Sequence, residues 1–440
     1  MKKTGGAKKL NFIDLFAGCG GLSEGFMHTG KFEPLAHVEW ELPMVNTLRN
    51  RLVTKYAHSE NDAVKRVVHF DIQRTDELLN GGWSDEAKDL YSTSNHAEII
   101  AGGLKGLIGE KRVDVIMGGP PCQAYSIAGR AQDPNSMVDD YRNYLFEAFA
   151  EVVKSFQPEV FVFENVPGLL SAKPGGKPAK NRIFDAFRDI GYSIQTPEHL
   201  QNSIVNTADY GVPQKRRRLL IIGVKSSSLI SHNRIEELLY DLRIPEEKQK
   251  TVFDAIGKLP KLLPKIQSER VAGRNVSHAL AANDVKLPGH YPRYHNMRDI
   301  SIFREWVRAK MNRLSTIEKL DFYNKVTGKH SNHAKYRSLH WDKPSPTIVA
   351  HLYKDGLMFI HPDENQARSI TVLESALLQS FPVDFDFLGS QASCYKMIGN
   401  AVPPVLAESI AKAVDAAFRE RETVVADSVL EEMMTAEIQY

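Results

Sequence analysis

One cysteine stands in a setting that suits a reactive thiol. Cys122 follows the stretch Gly118-Gly119-Pro120-Pro121, which itself follows an apolar, β-branched run from Val113 to Met117. Such a run predicts a buried parallel strand, and ligands bind at the carboxyl edge of open α/β sheets. The two prolines fix φ and remove two amide donors, so the backbone before the thiol is stiff and its carbonyls can accept hydrogen bonds. We interpret Cys122 as a nucleophile; the alternative is a half-buried structural cysteine, since free Cys usually behaves as a small hydrophobe.

Acidic side chains follow other predicted strands. Glu39, Asp71 and Glu164 lie at or near the ends of apolar runs that begin at residues 34, 67 and 159. A glycine turn, residues 17–21, follows the first predicted strand, residues 10–16. Because the carboxyl ends of parallel strands meet at one edge of a sheet, we expect these carboxylates, the glycine turn and Cys122 to open onto one site.

Alternation of strands with helices predicts an α/β fold with a doubly wound, mixed sheet. From about residue 225 the sequence becomes polar and irregular, and helical periodicity returns after residue 365. We therefore predict a discontinuous domain at 1–260 and 366–440, and a second, smaller domain at 261–365 that has residue 225 as an alternative start.

We assign no catalytic or binding role to two segments outside this pattern. Residues 73–111 form a polar, glycine-punctuated excursion before the Val113 strand, and the acidic tail 419–440 is either a helix or disordered. In the segment that follows the small domain, Thr371 and Glu374 have capping-box spacing, which predicts the start of a helix.

Composition restricts the class of protein. The chain has 440 residues, of which 42% are hydrophobic and 25% are charged, and this composition is typical of a soluble globular protein. We predict neither a signal peptide nor a membrane span, and we expect the protein in the cytoplasm. Its three cysteines are too widely spaced for a disulfide framework or a cysteine zinc cluster, and we predict no metal. The net charge of +2 permits only a local basic face. We expect Cys19, Cys394, His37 and His69 to be buried, the histidines hydrogen-bonded rather than acting as ligands.

Four short motifs follow one another in the chain: Pro121-Cys122-Gln123, Glu164-Asn165-Val166, Gln214-x-Arg216-x-Arg218 and Gly399-Asn400-x-Val402. They resemble the motifs of the C5-cytosine DNA methyltransferase family of bacterial modification enzymes. Each motif is weak alone, but their order is specific, and the resemblance spans nearly the whole chain outside 73–111, 225–330 and the tail. It implies a sheet of the S-adenosylmethionine-dependent methyltransferase type, a smaller DNA-recognition domain, and methyl transfer to C5 of cytosine.

The implied chemistry explains the residue types. Carbon 5 of cytosine is a poor nucleophile, so a thiolate first adds to C6 while a carboxyl group hydrogen-bonds N3. By resemblance, Cys122 forms the covalent bond to C6 and Glu164 is the acid. A free thiol has a pKa near ~8.5 and is mostly protonated at neutral pH, so activating the ring matters as much as activating the sulfur. The resemblance implies that the Pro121 carbonyl accepts a hydrogen bond from the exocyclic amine of cytosine and that Asn165 maintains the geometry of the loop. It also implies that Arg218 contacts the ring oxygen and Glu164, and it suggests Arg216 more weakly for the same network.

The glycine turn matches the first motif of the family and implies a site for S-adenosylmethionine. Glycines permit close backbone approach, and Phe16 can stack on adenine. Ser23 replaces the third glycine of a dinucleotide-binding G-x-G-x-x-G, which favours the smaller cofactor over a nicotinamide dinucleotide. By resemblance, Glu39 takes the ribose hydroxyls, Trp40 packs against adenosine and Asp71 accepts from the adenine amine. The implied cofactor site comprises Phe16, Gly18, Gly20, Gly21, Glu39, Trp40, Asp71, Ile72, Leu145, Asn400 and Ala401.

A stacked base cannot reach Cys122, so the target cytosine must flip out of the duplex. Residues 126–140 resemble the family's loop that closes over the flipped base; the alternative is an ordinary surface loop. Residues 337–348 resemble the stretch where the recognition domain meets DNA, and residues 329–336 mix cations, amides and an aromatic that can read base edges or phosphates. The implied DNA-binding residues are Gln123, Ser126, Arg130, Arg337 and Thr347, and position alone suggests that Arg368 and Gln379 support a hinge.

Other functions remain to be weighed. A tRNA cytosine-5 methyltransferase shares the fold and motifs but carries a Cys-Phe-Thr element that is absent here. A non-catalytic DNA-binding module conflicts with the presence of Cys122, Glu164 and Arg218, and Ser23 argues against a nicotinamide oxidoreductase. We predict a DNA (cytosine-5)-methyltransferase of a restriction-modification system that acts as a monomer on a short site in double-stranded DNA, with any cognate endonuclease acting separately.

Overall fold

The computed structural model describes residues 8–121, 145–271, 274–281, 285–354 and 356–437. The chain divides into two compact units. The large unit comprises Met1–Tyr210, Arg217–Ile244 and Pro404–Tyr440, and the small unit comprises Gly211–Arg216 and Pro245–Pro403. The predicted small domain, 261–365, falls inside the small unit, which extends further on both sides.

Strands and helices are numbered here in chain order. The strands are β1 (Leu10–Leu15), β2 (Phe32–Glu39), β3 (Val67–His69), β4 (Val115–Gly118), β5 (Val160–Asn165), β6 (Tyr192–Ser193), β7 (Ile204–Asn206), β8 (Gln214–Lys215), β9 (Arg217–Lys225), β10 (Leu262–Val271), β11 (Arg274–Leu280) and β12 (Ser345–Pro346). The helices are α1 (Gly21–His28), α2 (Leu42–Tyr56), α3 (Glu60–Arg66), α4 (Thr75–Asn80), α5 (Asp85–Tyr91), α6 (Ala97–Ile108), α7 (Leu145–Phe156), α8 (Ala179–Asp189), α9 (His232–Asp241), α10 (Val252–Ile256), α11 (Met297–Arg308), α12 (Thr316–Thr327), α13 (Val372–Leu378), α14 (Gln391–Asn400) and α15 (Pro404–Glu437).

The large unit is built on an eight-stranded sheet in the order β3-β2-β1-β4-β5-β9-β6, with β7 also paired to β9. The strands from β3 to β5 run parallel, and β9 is antiparallel to β5, β6 and β7. The predicted α/β fold with a mixed sheet is therefore confirmed. Parallel order places the carboxyl ends of β1 to β5 along one edge of the sheet.

Aromatic packing fixes β5 against its covering helices. Phe161 and Phe163 of β5 are fully buried, and the Phe161 ring stacks on Phe187 of α8 with centroids 4.2 Å apart. The ring of Phe149, on the apolar face of α7, meets Phe163 edge-on at 5.3 Å. Each such buried side chain stabilises the fold by about 1.5–3 kcal/mol relative to exposure, so the position of β5 is tightly constrained.

The excursion at residues 73–111 folds into three helices, α4 to α6. Its main anchor is Trp83, which is 1% exposed and stacks on Phe70 with centroids 4.3 Å apart. The indole nitrogen of Trp83 donates to the carbonyl of Glu77 at 3.1 Å. The excursion is thus part of the core beside β3.

The last helix of the chain packs on the first. A Cβ at Gly25 of α1 would lie 2.4 Å from the Cβ of Ala407 and 2.4 Å from the carbonyl oxygen of Pro404 in α15, so only glycine allows this close approach. Nearby, His28 and Glu408 form a hydrogen bond of 2.9 Å. The acidic tail is helical as far as Glu437. Cys19 and Cys394, the two cysteines among the described residues, are both buried, as expected.

The small unit has an aromatic core of its own. Phe303, Trp306 and Tyr336 are buried together, and the Trp306 indole donates to Asn312 at 2.8 Å. The predicted capping box is present, because the Glu374 amide donates to Thr371 Oγ1 at 3.1 Å and the Thr371 amide donates to Glu374 Oε2 at 2.7 Å.

Buried histidines surround an ion pair in this unit. Arg368 donates to both carboxylate oxygens of Glu374, at 2.7 and 2.6 Å, and both side chains are fully buried. Burial lowers the pKa of His278 to about 4 and that of His295 and His361 to about 3. These three histidines are therefore neutral in the folded state at neutral pH.

His37, in β2, is fully buried, as expected. Burial lowers its pKa to about 3, and a hydrogen bond with the backbone of Arg66 opposes that shift. Its ring also meets Phe12 edge-on at 5.9 Å. Separately, no helix within the described ranges is both long and apolar enough to cross a bilayer.

We expect the small unit to lose stability in mild acid. The folded histidines keep a pKa of about 3 to 4, whereas an unfolded histidine titrates near ~6.5, so protons bind the unfolded chain as the pH falls below that value. The free energy of unfolding should fall by up to ~1.4 kcal/mol per pH unit for each histidine between about pH 6.5 and about pH 4. Denaturant-dependent hydrogen exchange of small-unit amides at several pH values measures this slope.

The His295→Gln variant provides the control for that slope. It removes one of the three titrating groups, so the slope should decrease by about one proton regardless of how far the variant's absolute stability changes. A slope that is flat in the native protein, or that His295→Gln does not reduce, would contradict the assignment.

Candidate active site

A cleft lies at the carboxyl edge of the sheet. Seven of the predicted residues line it, and they come from the ends of β1 to β4 and from the start of α7. These seven are Phe16, Glu39, Trp40, Asp71, Ile72, Pro121 and Leu145. Three lining residues, Val38, Phe70 and Gln73, were not predicted. Val38 and Phe70 lie one position before predicted residues on the same strand ends, and Gln73 follows Asp71 in the same turn, so this signal could have found them.

The turn after β1 enters the cleft in a strained conformation. Phe16 has φ of +57°, a left-handed value that bulky residues rarely adopt and that clusters at functional sites. The conformation directs the next residues toward β2, where the Gly18 amide donates to Glu39 Oε2 at 2.8 Å. The predicted glycine turn thus binds the carboxylate that follows the second strand.

Glu39 is held by backbone donors on both oxygens. Its Oε1 accepts from the amides of Trp40 and Glu41, each at 2.8 Å, and its Oε2 accepts from Gly18. Burial raises the pKa of Glu39 to about 7, and these three hydrogen bonds oppose that rise. In β1, burial likewise raises the pKa of Asp14 to about 7, opposed by the Ser23 hydroxyl that donates to it at 2.6 Å.

The lining of the cleft suits adenosine. Phe16, Trp40 and Phe70 offer aromatic surface for a base, and Glu39 and Asp71 offer acceptors for hydroxyl and amine donors. Asp71 Oδ1 also accepts from the Gln73 amide at 3.0 Å, which fixes its turn. The residues present therefore fit S-adenosylmethionine.

Hydrogen bonds from Asn95 and Ser94 to His69, which we call the brace, join the excursion to the cleft. Asn95 brackets the backbone of His69, accepting from its amide at 2.9 Å and donating to its carbonyl at 2.7 Å. The His69 ring contacts Ser94 Oγ at 2.6 Å through Nδ1 and the Trp40 carbonyl at 2.9 Å through Nε2. Since a carbonyl can only accept, Nε2 carries the proton. The excursion thus fixes the ends of both β2 and β3, and His69 is hydrogen-bonded as expected.

The catalytic candidate Glu164 lies at the end of β5, paired with an arginine. Arg218 Nε of β9 donates to Glu164 Oε1 at 2.7 Å, and both side chains are about nine-tenths buried. A Cβ at Gly119 would lie 2.7 Å from Glu164 Oε2, so the glycine lets the chain after β4 pass directly over the carboxylate. Asn165 donates to the Pro120 carbonyl at 3.4 Å. The Pro-Pro turn and Glu164 are therefore adjacent.

Other predicted residues belong to the small unit. Arg216 is buried and donates to the carbonyls of Ile348 and Gly399, each at 2.9 Å. Asn400 ends α14, and the Ala401 carbonyl accepts from Gln379 at 2.7 Å. Their roles at the cofactor or the base stay predictions.

Of the predicted DNA-binding residues, two are described. Arg337 donates to the Met358 carbonyl at 3.3 Å, and Thr347 donates to the Lys215 carbonyl at 2.9 Å. The predicted nucleophile Cys122 and the DNA-binding candidates Gln123, Ser126 and Arg130 lie outside the described residues.

We expect the brace to tune cofactor binding. Asn95→Ala removes both hydrogen bonds to the His69 backbone, and at about 1 kcal/mol each their loss should raise the KM for S-adenosylmethionine up to about 30-fold with little change in kcat. Asn80→Ala, an exposed asparagine of the same excursion, is the matched control and should leave KM unchanged. Methyl-transfer kinetics measure both constants, and a fall in kcat at unaltered KM for Asn95→Ala would contradict the brace.

Comparisons with known proteins agree with this geometry. The model of the C-5 cytosine-specific DNA methylase family matches residues 10–83 and 75–416. A type II methyltransferase of Bacillus paralicheniformis is 32% identical over 91% of this chain and 98% of its own length. One of Haemophilus parahaemolyticus is 33% identical over 92% of this chain and 86% of its own length. The crystal structure of a protein described as a prophage-encoded DNA modification methyltransferase from E. coli superposes with a TM-score of 0.56 and 25% identity, covering 93% of this chain and 100% of that one. The chain belongs to the C-5 cytosine-specific DNA methylase family.

Proposed function

We propose that this DNA cytosine-5 methyltransferase modifies the cytosine of one short duplex sequence, with Cys122 as nucleophile and Glu164 as acid. Like other members of its family, it uses S-adenosylmethionine. When bound, the cofactor supplies a methyl group on a positively charged sulfur. The observation that carries the proposal is the contact of the Gly119 backbone with Glu164, because that backbone leads directly into Pro121-Cys122.

The ion pair with Arg218 supports the placement of Glu164 as the carboxyl group that contacts the base. Arg218 donates to Oε1, and Oε2 lies toward Gly119, so one carboxylate oxygen faces the chain that carries the thiol. Attack of the Cys122 thiolate on C6 puts electron density on the ring, and a carboxyl proton shared with N3 stabilises it. Removing one partner of such a buried ion pair destabilises the folded protein by about 3–5 kcal/mol, so Arg218 and Glu164 hold each other in place.

The surrounding backbone supports the remaining roles. Asn165 reaches the Pro120 carbonyl and also accepts from the Val166 amide at 2.8 Å, so the end of β5 and the Pro-Pro turn are joined. We assign to the neighbouring Pro121 carbonyl the exocyclic amine of the flipped cytosine. This assignment follows from the resemblance to the family, and the stiffness of two prolines, which cannot donate and hold their carbonyls in place, supports it.

The biological role is proposed from the relatives. The Bacillus and Haemophilus proteins are type II methyltransferases, which supports a place for this chain in a restriction-modification system. A monomer, a cytoplasmic location and an endonuclease that acts separately on the same sequence stay part of the proposal.

Substrate class and sequence choice can be tested together. With labelled S-adenosylmethionine and mixed-sequence duplex DNA, label should appear at C5 of cytosines within one short sequence, as mapped by bisulfite sequencing. A parallel reaction with tRNA should remain unlabelled. Label in tRNA alone, or label spread over cytosines in every context, would contradict the proposal.

We expect Cys122→Ser to abolish turnover and to leave binding of S-adenosylmethionine intact. Addition to C6 needs the thiolate, and a serine hydroxyl has a far higher pKa. Stopped-flow methyl transfer and equilibrium cofactor binding measure the two properties separately. A fully active serine variant would refute the nucleophile.

Arg218→Lys should lower kcat about 10- to 100-fold, because lysine keeps the charge but loses the planar guanidinium that aims Glu164. The neighbouring Arg217 is exposed, so Arg217→Lys is the matched control and should not change kcat. Equal effects of the two substitutions would show that the Arg218–Glu164 contact does not position the acid.

A further inference from the structure

One element of the small unit projects a positive, uneven surface. We call it the ribbon: β10 and β11, which pair antiparallel to each other. Its three cations and one acid give it a net charge of +2, equal to that of the whole chain, so the remaining residues sum to zero. The acid, Glu269, is already paired with Lys265. The ribbon is therefore more positive than the rest of the protein, and its charge complements a polyanion.

A wide bulge interrupts β10. Pro264 pairs with His278 and Glu269 pairs with Val276, so the four residues 265–268 face a single residue of β11. At the bulge, Ile266 is 94% exposed, and Gln267 and Ser268 are exposed beside it. The bulge therefore presents one apolar side chain beside two polar ones to the solvent.

The base of the ribbon is rigidly attached to the small unit. The Leu262 amide donates to Gln366 Oε1 at 3.0 Å, and His278 Nε2 meets the Gln366 carbonyl at 2.9 Å. Arg368 in turn donates to Gln366 Oε1 at 2.6 Å. The ribbon is thus fixed where it leaves the core, and the bulge is displayed at a defined place.

We infer that the ribbon enters the major groove of duplex DNA and that the bulge at residues 265–268 helps to select the sequence that is methylated. A two-stranded ribbon fits the width of the major groove. There, Ile266 contacts a thymine methyl group, Gln267 reads an adjacent base edge, and Arg270 contacts a phosphate. The inference rests on the proposed function and names the segment that gives the enzyme its target.

The ribbon suits this task better than the residues expected from sequence. Arg337 lies over the Phe359 ring at 5.4 Å and donates to a backbone carbonyl, and the Thr347 hydroxyl donates to the Lys215 carbonyl. Both side chains thus have contacts within the small unit, whereas Ile266 is exposed almost completely.

The inference is tested with full-length Ile266→Ala, Arg270→Ala and a control. The control is Ile317→Ala, because Ile317 is 72% exposed in α12 of the same unit. Sites methylated by the wild-type enzyme are first mapped on mixed-sequence DNA by bisulfite sequencing. Each variant is then assayed for binding of a duplex with that site in the presence of S-adenosylhomocysteine, at several salt concentrations, and for its own spectrum of methylated sites.

We expect Ile266→Ala to lower the preference for the mapped site over single-base mismatches about 10-fold, with the KM for S-adenosylmethionine unchanged. Arg270→Ala should weaken binding to all duplexes alike and reduce the salt slope by about 1. Ile317→Ala should match the wild type. Hydrogen exchange of the wild-type ribbon should slow when the duplex is added.

The other outcomes contradict either the inference about the ribbon or the proposed function. If Ile266→Ala and Arg270→Ala both match the wild type, or if the ribbon amides are not protected by DNA, the inference is wrong. Protection by a protein partner but not by DNA would overturn it equally. If the wild-type enzyme methylates no DNA, the proposed function fails instead, because that result does not depend on the ribbon.

Discussion

Burial of carboxylates at the carboxyl edge of the sheet is the constraint on which the large unit depends. An ionised carboxylate removed from water is costly unless donors surround it, and the chain supplies those donors from its own turns. Glu39 takes three backbone amides, and Glu164 takes a guanidinium. The left-handed Phe16 and the side-chain-free Gly119 follow from this requirement, since each brings backbone against a carboxylate that must stay in place.

The framework of this edge could be predicted from the sequence because its signals are local. Short β-branched runs that end on glycine, proline or an acid indicate buried parallel strands, and parallel order then brings their ends together. That argument placed Glu39 and Asp71 at the cleft, and the resemblance to the family supplied the other five predicted lining residues. Val38, Phe70 and Gln73 were missed although each lies next to a predicted residue or in the same turn.

Longer-range contacts could not be predicted in the same way. Asn95 and Ser94 are ordinary polar residues in a segment without strong periodicity, and their importance arises only when folding brings them to His69, 25 residues or more away along the chain. The same is true of Gln366, which receives donors from Arg368 and from the first residue of β10. In both units, side chains with unremarkable sequence context determine where functional segments lie.

The packing of α15 on α1 has a consequence for synthesis. Gly25 and Ala407 are in contact although about 380 residues separate them, and the whole small unit is translated between them. At about 5–20 residues per second, α1 emerges from the ribosome tens of seconds before its covering helix. The glycine turn that precedes α1 therefore gains its final support only after the start of α15 has been synthesised. A chain that stops before Pro404 should be unable to modify DNA.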